Sequence, residues 1–149
     1  EAIVSKVIKV AFPGFTNIIS EEIDFETKLG RFIDSYFAML FKHPFLPVFV
    51  MKELSRDPSG LFKMIAKFGF SPDFVLKEIE KAMDKGEIKR MDPRHLVVNV
   101  ISMCVFPFAV KPLLNYLVFK DDKKELTAFF NERAAVIKKF VIDSIVIKK

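Results

Sequence analysis

Residues 92–119, DPRHLVVNVISMCVFPFAVKPLLNYLVF, constrain the fold more than any other stretch. They open on a helix start: the Asp92 carboxylate can accept from the free amides of a first turn, and Pro93 suits a position that needs no N–H. From there apolar side chains fall on every side, at Leu96, Val97, Val98, Val100, Ile101, Met103, Cys104, Val105 and Phe106. A helix without a polar face must be covered all round. Helical throughout, at 1.5 Å rise per residue, the stretch would be roughly 40 Å long, more than one small domain wraps. Part of it is therefore expected to meet a partner chain. Pro107 removes an amide, frees the carbonyl four residues back, and is expected to bend the helix.

The rest of the chain also reads as helix. Residues 2–22 carry apolar side chains at helical spacing, with a kink or break expected at Pro13-Gly14. Asp24 can cap a helix over 25–42, where Phe25, Leu29, Phe32, Ile33, Tyr36, Phe37, Leu40 and Phe41 form one face. Glu26, Lys28, Arg31, Asp34 and Lys42 take the other face, and His43-Pro44 ends the helix. Short helices follow over 45–53 and 61–68, with 56–60 a loop by composition. Ser71-Pro72-Asp73 starts a helix that ends near Lys85-Gly86. Asp121-Asp122 start the last one, which carries two stripes. Leu126, Phe130, Ala134, Ile137, Val141 and Ile145 form the first; Phe129, Val136, Phe140 and Ile147 form the second. No stretch reads as strand, so the expected fold is all-α, an orthogonal or antiparallel bundle of about six to seven helices.

The pattern excludes several functions. Net charge is +5, but the lysines are scattered and no basic, aromatic-interleaved cluster marks a nucleic-acid groove. His43 and His95 have no ligand partners at metal spacing, so no metal is expected. Cys104 lies among apolar residues that keep a thiol protonated, and a single cysteine suits a reducing compartment. No phosphate loop or nucleophile elbow occurs, so neither enzymatic activity nor a cofactor is expected. A membrane span over 96–119 is disfavoured by Lys111, Asn99, Asn115, Pro107 and Pro112. What remains is a chain with 18 phenylalanines and a few polar residues in greasy helices, which fits a packed core and an apolar pocket alike.

One resemblance narrows this. The connector GEIKRMDPRHL, with Gly86, Ile88, Asp92, Pro93 and Leu96, resembles the segment joining helices seven and eight of TetR-type transcriptional regulators. The helix ending at His43-Pro44 resembles that family's fifth helix. The resemblance implies the fold of the family's C-terminal domain, with residues 1–22 as the linker helix from a DNA-binding domain. Residues 23–149 would then be the ligand-binding and dimerisation domain. The helix-turn-helix itself is not in this chain, and a start at Glu1 with a helical pattern already under way suggests a segment upstream. DNA would be reached only through that segment.

Several expectations follow from the resemblance. The chain would be a cytoplasmic homodimer, part of a regulator and more specifically of a repressor, sensing a small apolar effector. The effector would enter between the helix of 25–42, that of 72–85 and the stretch after Asp92. Candidate pocket residues are Tyr36, Phe37, Leu40, Phe41, Met64, Phe68, Asn99, Met103, Phe106 and Val110. Candidate interface residues are Leu113, Leu117, Phe130, Ala134, Ile137, Val141 and Ile145. The rival reading is a stand-alone helical carrier for a fatty acid or similar lipid, and a weaker one is a purely structural oligomerisation domain.

Overall fold

Helix boundaries follow local chemistry. Of the eight prolines, Pro47, Pro58, Pro72, Pro93 and Pro112 each stand in a first helical turn, where an amide is not needed. Asp24, Asp57, Ser71, Asp92 and Asp122 each accept a backbone N–H of the turn they cap. The computed structural model describes residues 2–148, with side chains from Val4 onward. Glu1, at the head of the expected linker segment, and Lys149 lie outside the described residues. Eight helices pack together: α1 (Ala2–Ser20), α2 (Phe25–Lys42), α3 (Leu46–Arg56), α4 (Pro58–Lys67), α5 (Pro72–Asp84), α6 (Pro93–Ala109), α7 (Lys111–Leu117) and α8 (Lys123–Ile145). The protein is all-α, with no strand among the described residues.

Three boundaries differ from the sequence reading. Helix α1 runs unbroken through Pro13-Gly14. Residues 56–60 are not a loop: Asp57 alone separates α3 from α4, its carboxylate capping Gly60 N–H at 2.9 Å while Pro58 starts the turn. The third difference is the extra helix. Residues 92–119 are two helices bent by 68°, not one. The break falls before Pro112, whose missing amide and ring oppose continuation of the helix past the Phe108 carbonyl. Pro107 is accommodated inside α6, because Arg133 Nη2 of α8 donates to the carbonyl of Met103 at 3.3 Å. An external donor replaces the amide that proline lacks.

The main core joins α2, α5, α6 and α8. Its centre is an edge-to-face series in which Phe108 meets Phe37 at 5.7 Å and Phe130 at 5.0 Å between ring centres. A second, smaller cluster holds Val4 and Ile8 of α1 against Leu61 of α4. Between α5 and α6 the chain turns on Gly86, at φ +75°, with Gly86 N–H donating to Met83 O and Glu87 N–H to Ala82 O. The connector then lies along the end of α8: Lys89 N–H donates to Ile145 O at 2.8 Å, and Ile147 N–H to Glu87 O at 3.0 Å. This pins Ile88 in the core and ties the α5–α6 crossing to the C-terminal helix.

Candidate ligand cavity

The cap at Asp24, whose Oδ2 accepts Thr27 N–H at 2.9 Å, sets the phase of α2. Phe25, Lys28, Leu29 and Phe32 then share one face, at the three- and four-residue spacing that brings helical side chains together. Ser71 and Pro72 do the same for α5, presenting Val75, Glu78 and Ile79. The first turns of α6 bring Leu96, Val97, Val100 and Ile101, and the end of α1 adds Ile19. These four elements line a partly open cavity of about 80 Å³ whose walls are apolar except for Lys28 and Glu78.

That pair is unusual for its place. Lys28 is a lysine with only 9% of its surface exposed, and its Nζ lies 3.3 Å from Glu78 Oε2. Glu78 Oε1 meets a second ammonium, that of Lys81, at 3.0 Å. Burial pushes the Glu78 carboxyl up, but hydrogen bonds from Lys81 and Lys28 outweigh it and leave the pKa below the usual glutamate value. On the far side of the pair lies a polar cleft of about 530 Å³, bordered by Glu21, Glu22 and Asp24 and by Lys81, Lys85 and Glu87. Glu87 Oε1 accepts Phe25 N–H at 3.1 Å, so the cleft wall also holds the first residue of α2.

None of the ten candidate pocket residues lines this cavity. Phe37 and Leu40 are in the main core, and half-buried Tyr36 stacks on Phe32 with ring centres 5.8 Å apart. Burial pushes the Tyr36 hydroxyl pKa up. Phe41 is partly exposed against Phe108, and Met64 and Phe68 belong to the small α1–α4 cluster. Asn99 and Phe106 face outward, Met103 packs against the main core, and half-buried Val110 lies at the break between α6 and α7. Helices α2, α5 and α6 line this cavity through residues other than those ten. The aromatic C-terminal half of α2 is filled by Phe108 and its neighbours, so the void lies towards the N-terminal ends. Lys28 was read from the sequence as solvated; its signal was its place between Phe25 and Phe32 at helical spacing.

The candidate interface residues also divide. On α8, Phe130 (3% exposed), Ile137 (1%), Val141 and Ile145 are covered by their own chain, and Ala134 is half-buried against the same core. A surface that meets a partner cannot already be buried, so these residues do not form an outer face. Of the second stripe, Val136, Phe140 (66% exposed) and Ile147 face out, while Phe129 is half-buried against the core. Leu113 and Leu117 of α7 are exposed, beside Tyr116 and Val118.

Among the described residues no cluster of three or more His, Cys, Asp or Glu is placed to hold a metal. No single described helix is long and apolar enough to cross a membrane; α6 and α7 reach that length only as a bent pair. No protein-family model matches the sequence, and no curated protein matches it.

Proposed function

We propose that the chain is the effector-binding and dimerisation domain of a TetR-like transcriptional regulator, with the fold of that family's C-terminal domain. The observation that carries this is the apolar cavity between α2, α5 and α6, with Ile19 at the end of α1 in its wall. In such a regulator α1 would be the linker to a DNA-reading head, so a ligand that touches Ile19 acts on the element that positions that head. Differential affinity for one arrangement of the linker would then change the spacing of two heads in a dimer. At about 80 Å³ the cavity is far below the roughly 300 Å³ of a drug-sized site. A drug-sized ligand would be held wholly inside only if a wall moved, and a moving wall is what a sensor would transmit.

Exposed apolar side chains on α7 and the outer stripe of α8 supply the dimer surface in this reading. A stand-alone lipid carrier would use the same cavity but has no need of that surface. The regulator acts on DNA in the cytoplasm, catalyses nothing and requires no cofactor. Sedimentation of the 149-residue chain at micromolar concentration tests the dimer, and a single monomeric boundary would overturn it. Ligand binding is tested by Val97→Phe, which places a ring in the cavity. Apolar ligands should bind it markedly more weakly, and unchanged binding would remove the cavity from the mechanism.

A further inference from the structure

We propose that the end of the molecule built from α1, α3 and α4 docks on an anionic lipid surface. Its exposed phenylalanines enter the headgroup region and its lysines lie against the lipid phosphates. This docking depends neither on the cavity nor on the dimer. Lysines that are scattered along the chain are gathered by the fold. Leu46 and Val50 of α3 and Leu61, Met64 and Ile65 of α4 close one apolar cluster with Val4 and Ile8 of α1. Lys6 of α1 and Lys42 of α2 border one groove between those two helices, so Lys42 belongs to the same end. Helix α1 carries Lys6 and Lys9 and no acid. Residues 41–70 carry Lys42, Lys52, Arg56, Lys63 and Lys67 against Glu53 and Asp57. With every carboxylate counted, these two segments hold the whole net charge of +5, and the other residues balance. Of these cations only Arg56 forms an ion pair among the described residues, with Glu53 at 2.7 Å.

The same end exposes apolar side chains. The inward turn of Leu46 and Val50 leaves Phe45, Val48, Phe49 and Lys52, at three- and four-residue spacing, on the outer side of α3. Phe45 is 73% exposed, and on α4 Phe62 is 61% exposed next to exposed Lys63. Phenylalanines and lysines on one outer face make up a helix that lies in the plane of a membrane interface. Rings enter the boundary while ammoniums stay with the headgroups. Cytoplasmic leaflets carry the net negative charge that such a face complements. A nucleic-acid backbone would use the lysines but offers no cover to exposed Val48 or Met51. A second copy meeting through this face would bring two positive ends together. No residue between Pro44 and Phe68 borders the cavity, the cleft or the α1–α2 groove, so this face projects side chains instead of receiving a partner's.

The test is cosedimentation of the 149-residue chain with vesicles of phosphatidylcholine and with vesicles of phosphatidylcholine and phosphatidylglycerol in equal parts. The anionic vesicles should retain it at least about tenfold better, by an excess that shrinks as salt is raised. Lys63→Glu should weaken that retention about fivefold or more. Lys89→Glu, the same change of net charge on the α5–α6 connector, should leave it within about twofold. Phe45→Ser should weaken it about tenfold, from the lost burial of one ring. Equal retention by both vesicles, or by neither, would overturn the docking. So would equal losses from Lys63→Glu and Lys89→Glu, because net charge alone would then explain the binding. Unchanged retention of Phe45→Ser would overturn the insertion of α3. Self-association that Phe45→Ser abolishes would give the face to a second copy, and binding of duplex DNA without vesicles would give it to nucleic acid; either result overturns the lipid assignment. The comparison on the unsubstituted chain stands whether or not a variant folds.

Discussion

Helices α6 and α7 are cut from one apolar stretch, yet they live in opposite surroundings. In α6 a buried stripe, Leu96, Val100, Cys104 and Phe108, recurs every four residues and faces α2, α5 and α8. In α7 no residue is buried, and Tyr116 keeps 70% of its surface exposed. The difference comes from the 68° bend at the Val110–Pro112 junction, which turns α7 out of the layer that α6 completes. Hydropathy measures how much cover a segment needs. It does not say whether the chain itself supplies that cover.

The strongest way to break this contrast is through Phe108, which packs edge-to-face on Phe37, Phe41 and Phe130. Phe108→Ala should cost about 3–5 kcal/mol in urea unfolding, from lost burial and an unfilled cavity. A loss below about 1 kcal/mol would mean that α6 is not the centre of the core.

A smaller effect is expected at the proline inside α6. Arg133→Met removes the donor to the Met103 carbonyl and should cost about 1–3 kcal/mol. In a Pro107→Ala background, where residue 107 regains an amide, the same change should cost less. A double-mutant cycle with no coupling would refute the compensation.

On α7 the expected change in folding stability is smaller still. Leu117→Lys should alter the stability of the isolated chain by no more than about 0.5 kcal/mol. If α7 forms the dimer surface, the same variant should sediment as monomer. A large stability loss without a change in sedimentation would make α7 part of the chain's own core.

The finest test concerns how α6 starts. Hydrogen bonds from the Arg94 side chain and from the Arg94 backbone N–H hold the Asp92 carboxyl down to about 2, from an ordinary 3.8. A depressed carboxyl pKa contributes stability that is present above the ordinary value and is lost as pH falls through the folded one. The urea midpoint of the unsubstituted chain should exceed that of Asp92→Asn above this window, and the gap should close as pH falls through it. A constant gap would rule out the titration of Asp92 as its source.

The helix starts were legible because each is a local event. An Asp or Ser at the head of a helical pattern satisfies a free amide within three residues, as at Asp24, Ser71, Asp92 and Asp122. The faces were not. Tyr36, Phe37 and Leu40 lie on the same apolar side of α2 as Phe25, Leu29 and Phe32. Only the position of Phe108, brought over from α6, fills one end of that side and leaves the other hollow. The two stripes of α8 pose the same problem, because they are nearly equal in hydropathy. Which one turns inward depends on where α2 and α6 stand.

The sequence by itself therefore determined an all-α chain, most of its helix boundaries and the need for cover along residues 92–119, since propensity, capping and periodicity act within a few residues. Tertiary structure alone decided that Arg133 stands in for the amide missing at Pro107, so that of the two prolines only Pro112 ends the helix, and that Lys28 is buried beside an apolar void. Those outcomes depend on contacts between residues far apart in the chain. The same helix face can be core, cavity wall or open surface, according to what packs against it.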